Sequence, residues 1–134
     1  MPDAKVQVTI PDFAVKDIFD SKFKAAAVEA MGKAAAAAVK GKFEVGTDKK
    51  AKGWCLNGSL VSMKEDKGSM KADVSVAIGA MPGNAIKSIA KGSLTFKDTT
   101  ASDMKAKDVA ELAAGAVGEA MKSGLKYMLS NQPE

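Results

Sequence analysis

Five charged residues recur at even-numbered spacings in the second half of the chain, and they are the first candidates for chemistry. They are Lys71, Asp73, Lys87, Lys91 and Lys97. Side chains two positions apart on a strand point to the same face of a sheet, so these residues are predicted to share one solvent-facing surface. This candidate partner surface could bind a protein or an anion, although lysines also keep an open sheet soluble and unpaired.

A second group of cations lies in a polar stretch bounded by glycines. Lys49, Lys50 and Lys52 fall between Gly46 and Gly53, a composition typical of a loop. A basic loop could hold a phosphate, but no glycine-rich cradle or helix N-terminus accompanies these lysines in the sequence. A solvated loop is therefore the favoured interpretation.

Two pairs of carboxylates could in principle hold a metal ion or support acid–base catalysis. They are Asp17 with Asp20 and Asp103 with Asp108. Acids on one helix face are usually solvated or paired with lysines. The sequence has no histidine and one cysteine, Cys55, which excludes histidine-based catalysis, catalytic triads and most zinc sites. We therefore expect a protein that is not an enzyme and that uses neither a cofactor nor a metal.

The charge balance narrows the classes of partner. The chain has 20 basic residues, all of them lysine, against 16 acidic residues, which gives a net charge of +4. Specific nucleic-acid sites depend on arginine, whose planar fork reads guanine and phosphate, so specific nucleic-acid binding is not expected. Weak, salt-sensitive attraction to polyanions stays open. No apolar run approaches the roughly 18 residues that cross a bilayer, so no transmembrane segment is predicted.

The first half of the chain reads as a strand followed by a bent helix. Apolar and polar residues alternate over 6–10, and Pro11 ends this strand. Helical spacing then extends over 12–39, but one helix of that length would be roughly 42 Å long, more than a domain of this size can hold. We expect a break near Asp20, a good capping residue, and an end at Gly41.

The second half switches to the period of strands. A short strand at 43–45 precedes a longer one at 54–64, where a bulge is predicted at Asn57–Gly58. Two further strands joined by the turn Pro82–Asn84 form an antiparallel hairpin. The residues predicted to face the core are Met70, Ala72, Val74, Val76, Ile78 and Ala80 in its first strand and Ile86, Ala90, Leu94 and Phe96 in its second.

The fold class is predicted as α+β. A last helix begins at Thr100, with Asp103 completing a capping box. The order is thus strand, helix, strand, three-strand meander and helix, and each strand is apolar on one face only. We expect a single mostly antiparallel sheet with both helices packed on one face, in one domain spanning 1–134.

Three segments together suggest a family. They are the glycine-containing strand Trp54–Leu60, the strand segment Ala90–Ser93 and the opening Val6–Phe13. In this order of elements the chain resembles small bacterial envelope domains related to the curli-secretion and flagellar-assembly lipoprotein families. The resemblance implies a periplasmic or outer-membrane-associated domain that works by assembly rather than catalysis. The chain lacks the lipobox cysteine and the membrane-inserting segments of those families, and no functional residue carries over.

The start of the chain bears on the compartment. Met1–Ala4 leads directly into the first strand, without the basic and apolar regions of a secretory signal. The chain is thus expected to be either cytoplasmic or the mature form of an envelope protein. The resemblance favours the periplasm or cell envelope.

These observations favour a non-enzymatic envelope domain that binds a protein partner through the candidate partner surface or through an edge strand. The sheet edge and the alanine-rich helices also offer surfaces for a homodimer. One alternative is a carrier of a small apolar ligand or lipid, with a pocket between the helices and the sheet. That pocket would be lined around Val74, Val76, Ile78, Leu94 and Phe96. A second alternative is a weak cytoplasmic binder of polyanions.

Overall fold

The computed structural model describes residues 7–10, 13–46, 53–81 and 85–131. Within these ranges the strands are β1 (Gln7–Thr9), β2 (Ala14–Val15), β3 (Glu44–Val45), β4 (Gly53–Asp66), β5 (Ser69–Met81) and β6 (Ala85–Phe96). The helices are α1 (Lys24–Val39) and α2 (Ala106–Ser130), and short 3-10 turns precede them at Ser21–Phe23 and Ala101–Asp103. The predicted α+β architecture, one open sheet with two helices packed against it, is confirmed.

The sheet has the strand order β3-β1-β4-β5-β6, and β2 lies beside β4 further along that strand. The short strands β1 and β2 run parallel to β4, and β1 also runs parallel to β3. The long strands β4, β5 and β6 form the predicted antiparallel meander. In the described part of the chain, β3 and β6 are therefore the two edges of the sheet.

The regular alternation predicted for β5 is confirmed. Its inward side chains are at most 3% exposed: Met70, Ala72, Val74, Val76, Ile78 and Ala80. The apolar stripe of α2 packs over the sheet with fully buried residues: Val109, Leu112, Ala113, Ala116, Val117 and Ala120. The outer side of the meander carries mainly polar and small side chains, together with the exposed residues Val61, Ile86 and Ile89.

The bulge in β4 lies at Val61, so the prediction of a bulge at Asn57–Gly58 is wrong. The pairing of β4 with β5 shifts register between Leu60 and Ser62. The extra residue is half-exposed, whereas Met63 beyond it is fully buried. Gly58 pairs with Val76 in regular register, and it is glycine because the ring of Phe13 packs on it and would collide with any side chain there.

The prediction of a helix bent near Asp20 is wrong in its first half, because the segment before Asp20 is not helical and Asp20 caps the start of the helical region. Asp20 accepts a hydrogen bond from the backbone N–H of Lys22 at 3.1 Å. Upstream, β2 pairs with β4, and the N–H of Lys16 donates to the carbonyl of Leu60 at 2.9 Å. Strand pairing thus overrides the helical spacing. At the other end α1 stops before Gly41, whose φ of +89° suits glycine.

One predicted core residue, Ile86, lies on the outer face. The register of β5 with β6 shifts so that Ile78 faces Ser88 while Gly79 faces Ile86, which makes Lys87 the extra residue of a bulge. A one-residue shift moves the side chains before it to the opposite face. Ile86 is consequently 60% exposed, whereas Ala90 beyond the bulge is buried as predicted.

The start of α2 also differs from the prediction. The capping box of Thr100 and Asp103 is present, but it begins only a 3-10 turn. The chain is extended at Met104, whose side chain is buried, and α2 begins at Ala106. Asp108 caps this second start by accepting the backbone N–H of Lys105 at 2.9 Å.

Helix α2 approaches the sheet most closely at Gly92 of β6. A Cβ atom at this position would collide with the backbone of α2 at Ala116 and Ala120. Only glycine on the strand and alanine on the helix leave room for such an approach. This contact explains why a helix carries so many small residues despite their modest hydrophobic gain.

Gly92→Ala should lower the free energy of unfolding by about 1–3 kcal/mol, because overpacking a close contact costs that much. Gly118→Ala is the matched control, since a Cβ there meets no atom within 4 Å. Alanine is about 1 kcal/mol better than glycine inside a helix, so this control should stabilise the protein. Urea unfolding followed by circular dichroism measures both; equal effects of the two variants would contradict the close contact.

The carboxylate of Asp103 should make stability pH-dependent. It accepts the backbone N–H of Thr100 at 3.1 Å and the Thr100 hydroxyl at 2.9 Å. These hydrogen bonds hold the pKa of Asp103 below its ordinary 3.8. A depressed carboxylate pKa stabilises the fold above the unfolded value, and that contribution is lost as the pH falls through the folded value.

Asp103→Asn is therefore expected to be less stable than the unaltered protein at pH 7, with a difference that shrinks below pH 3.8. Thr100→Val keeps the backbone donor and loses the hydroxyl, so it should give an intermediate pH profile. Urea midpoints measured across the acid range test both variants. A difference that is constant with pH would show that the carboxylate charge is not involved.

Candidate partner surface

The outer face of the meander is built from cross-strand rows of side chains. Three consecutive rows across β4, β5 and β6 are Ser59–Ser75–Lys91, Ser62–Asp73–Ser93 and Lys64–Lys71–Thr95. Val61 is the extra residue between the first two rows, and the pairing resumes beyond it with Ser62 on the same face as Ser59. The side chains of all three rows therefore lie on the outer side. The structure thus brings together three of the five predicted residues: Lys71, Asp73 and Lys91.

Asp73 is the acidic centre of this face. Its carboxylate accepts a hydrogen bond from the Ser62 hydroxyl at 3.3 Å and lies 3.9 Å from the ammonium group of Lys71. An exposed pair at that distance contributes little to stability. Both charges therefore stay available to a partner.

A shallow depression of about 470 Å³ lies over the middle of these rows. It is lined by Val61, Asp73, Ser75, Lys91, Ser93 and Glu119, among others. Glu119 comes from α2 and is paired with Lys122 on the same helix at 3.0 Å. The depression thus has a mixed polar and apolar lining and carries both signs of charge.

The other two predicted residues lie apart from this group. Lys87 occupies the bulge near the start of β6, and its carbonyl accepts the Tyr127 hydroxyl at 3.5 Å. Lys97 follows the last residue of β6, and its carbonyl accepts the Thr99 hydroxyl at 3.1 Å. The predicted surface is therefore split into a central group and two outlying lysines.

Two isoleucines that sequence reasoning did not assign to this face are its most exposed apolar residues. Ile86 is 60% and Ile89 57% exposed. Ile86 pairs with Gly79 of β5 and Ile89 with Ala77, so no large neighbouring side chain on β5 covers them. Ile89 could have been found, because it lies two positions before Lys91. Ile86 could not, because only the bulge turns it outward.

The four candidate carboxylates have structural roles rather than forming a site. Asp20, Asp103 and Asp108 each cap a helix or a turn. Asp17 lies 2.8 Å from the ammonium group of Lys64, and this hydrogen bond, with the carboxylate charge, raises the pKa of Lys64. Among the residues that the structure describes, no cluster of acidic or cysteine side chains could hold a metal ion.

Three further predictions concern single features of the sequence. Two of them, the basic loop with lysines at 49, 50 and 52 and the turn at 82–84, lie outside the described residues. Cys55 is buried, and the Asn57 amide donates to its sulfur at 3.4 Å. No helix within the described ranges is long and apolar enough to span a membrane.

A larger and more apolar groove of about 690 Å³ runs along α1. Its apolar lining residues are Ile10, Phe13, Ala25, Val28, Ala36 and Val45. This lining differs from that of the predicted ligand pocket, because Val74, Val76 and Ile78 are buried in the core. Gly32 lies at the groove with open space where a side chain would be.

No protein-family model matches this sequence, and no curated protein matches it. Solved structures do share its fold. The chain is similar to the PelC dodecamer from Paraburkholderia phytofirmans, with a TM-score of 0.58, 11% identity and coverage of 87% of this chain and 86% of that one. A DUF330 protein from Xanthomonas campestris has a TM-score of 0.58 at 9% identity, covering 96% of this chain and 86% of that one.

A third similar structure is a homologue of a neuraminyllactose-binding hemagglutinin from Helicobacter pylori. Its TM-score is 0.53 at 9% identity, and the match covers 96% of this chain and 85% of that one. At these identities the likeness is one of fold. It agrees with the strand and helix order described above.

Proposed function

We propose that this protein is a non-enzymatic domain of the bacterial cell envelope that binds a protein partner through the outer face of the meander. The observation that carries the proposal is the exposure of Ile86 and Ile89 on a face that also holds Lys71, Asp73 and Lys91. Apolar side chains within a polar surround are the usual composition of a protein-binding patch.

The two kinds of residue would have different tasks in such a complex. Fully burying an exposed isoleucine is worth about 1.5–3 kcal/mol, and Ile86 and Ile89, being partly exposed, would each contribute part of this as the apolar centre of the contact. Exposed charges contribute little to affinity but steer the approach and fix the orientation. Lys71, Asp73 and Lys91 would therefore decide which partners are accepted.

The envelope assignment draws on the sequence resemblance and on the shared fold. The fold occurs in a dodecamer, which supports an assembly role in which copies of this chain also associate. It occurs as well in a homologue of a neuraminyllactose-binding hemagglutinin, a binding protein by its name. The absence of catalysis is part of the proposal, and it is supported by the structural roles of Asp17, Asp20, Asp103 and Asp108.

Site-specific photo-crosslinking in the source organism tests this function. A benzophenone side chain at Ile89 or at Ser75 should give a discrete crosslinked product, because both positions lie on the proposed binding face. The same group at Glu111, an exposed position of α2, should give none and serves as the control. Mass spectrometry of the product distinguishes a second copy from another envelope protein.

Two outcomes would contradict the proposal. Products from Glu111 but not from Ile89 or Ser75 would place the partner on the helices. Crosslinks to nucleic acid would instead favour the polyanion binder.

A second candidate function, a carrier of a small apolar ligand or lipid, is favoured by the groove along α1. Its volume of about 690 Å³ falls within the range of ligand pockets, roughly 300–1,000 Å³. The lining is mainly apolar, with Lys24, Glu29 and Lys33 at its rim able to meet a polar head group. Lys33 and Glu29 are paired at 2.9 Å, which leaves Lys24 as the group best placed for an anionic head.

Denaturing mass spectrometry of the purified protein tests this candidate. A carrier should release a stoichiometric apolar molecule, and Gly32→Leu should reduce that amount by filling the groove. The variant should still fold, because a Cβ at Gly32 meets nothing within 4 Å. Leucine also favours the helical state over glycine by about 1 kcal/mol. No released molecule, or an equal amount from the variant, would contradict the carrier function.

A further inference from the structure

Strand β6 has one side without a neighbour. It pairs with β5 along most of its length, and no strand in the described ranges pairs with its other side. In an antiparallel strand, alternate backbone N–H and C=O groups point toward each neighbour. The outward set on β6 is therefore available for hydrogen bonds with an added strand.

A groove of about 410 Å³ lies along this free edge. One wall is β6 at Ser88, Ile89 and Ala90, and the other is the last part of α2, including Ser123, Lys126 and Tyr127. A groove between an edge strand and a helix is an arrangement that accepts an extended peptide as an extra strand. The helix would contact the side chains of such a peptide while β6 binds its backbone.

Two contacts of Tyr127 fix the position of the last part of α2 relative to β6. The Tyr127 ring packs edge-on against buried Trp54, with centroids 5.8 Å apart, and its hydroxyl donates to the Lys87 carbonyl at 3.5 Å. The tyrosine thus links the helix to the core and to the bulge. The regular part of β6 begins after this contact, at Ser88, and an added strand would pair from there to Phe96.

The cations of β6 and of the groove beside it select the class of partner. The charged residues of β6 are Lys87 and Lys91, and Lys126 adds a third cation from α2. None of the three forms an ion pair with a residue in the described ranges. An incoming strand with acidic side chains would therefore gain favourable cross-strand pairs.

The exposed isoleucine adds a second requirement. Ile89 and Lys91 lie on the same outer face, two positions apart. A partner strand would place an apolar side chain beside Ile89 and a carboxylate beside Lys91. A strand protected only against unwanted pairing would carry the lysines without two exposed isoleucines.

A second copy of this chain is a poorer occupant of the edge than an acidic segment. It would bring its own Lys91 and Lys126 to an edge that already carries these cations, and like charges on neighbouring strands destabilise the pair.

We propose that the free edge of β6 binds an extended acidic segment of a protein partner by strand addition. The segment alternates apolar and acidic residues on the face it shares with Ile89 and Lys91. This inference rests on the proposed function, and it adds the mode of binding and the chemistry of the partner.

A synthetic peptide with the sequence Thr-Val-Thr-Glu-Thr-Val-Thr-Glu-Thr, capped at both ends, is the probe. Valine and glutamate occupy one face of this peptide as an extended strand. We expect binding to the full chain by isothermal titration calorimetry and slower amide hydrogen exchange along 88–96, by about tenfold or more, because strand pairing protects backbone N–H groups. The same peptide with lysine in place of glutamate should bind at least about tenfold more weakly.

Charge reversal in the protein is the second arm. Lys91→Glu should weaken binding of the acidic peptide by about tenfold, because it replaces an attractive cross-strand pair with a repulsive one. Lys42→Glu makes the same charge change at an exposed position before β3, at the opposite edge of the sheet, and should leave affinity within about twofold.

Each other result overturns the inference. Peptide binding without protection of 88–96 would exclude strand addition, although the photo-crosslinking test of the outer face could still succeed. Equal binding of the lysine peptide would exclude acidic recognition, and no binding of either peptide would exclude both features. Protection of 88–96 that grows with protein concentration alone would assign the edge to a second copy.

Discussion

The near contact between α2 and β6 at Gly92 is the constraint on which the arrangement of the domain depends. With no side chain on the strand and alanines on the helix, the two backbones come together without room for anything between them. This brings the wide apolar stripe of α2 over β5 and closes one side of the sheet. The same closeness puts the end of α2 beside the start of β6, where Tyr127 reaches both the core and the bulge. The groove at the free edge is thus a product of how the core packs.

Most of the sheet could be predicted because, in a strand with one buried face, the alternation of apolar and polar residues shows which side chains point to the core. In β5 the alternation is unbroken, so every inward residue was assigned from the sequence. The positions of bulges could not be predicted in this way, because no particular residue type marks the extra residue. Asn57–Gly58 has the residue types of a bulge, yet Gly58 is needed to make room for Phe13, and the register shifts at Val61 instead. Phe13 itself lies in a segment that has the residue spacing of a helix but is extended in the structure, where β2 pairs with β4.

The candidate partner surface could be predicted to the extent that it lies in regular sheet. Lys71, Asp73 and Lys91 are far enough from the second bulge for even spacing to imply a shared face, and the structure brings them together. Ile86 lies beyond that bulge, and the sequence pattern wrongly places it in the core. What distinguishes this face from any solvated sheet is its exposed isoleucines and free edge. Whether a strand lies at the edge depends on the order of strands in the sheet, and the pattern of residues within one strand does not reveal that order.

The two bulges have a consequence for how the sheet can change in length. Both extra residues, Val61 and Lys87, belong to strands that flank β5, while β5 itself contains none. Deletion of Val61 or Lys87 would remove a bulge and join two regular stretches of strand, and every other side chain would keep its face of the sheet. Loss of a codon within β5 would instead turn the side chains on one side of the deletion to the opposite face of the sheet. The central strand therefore sets the register of the meander, and the two bulged positions are where its neighbours can lose a residue at least cost.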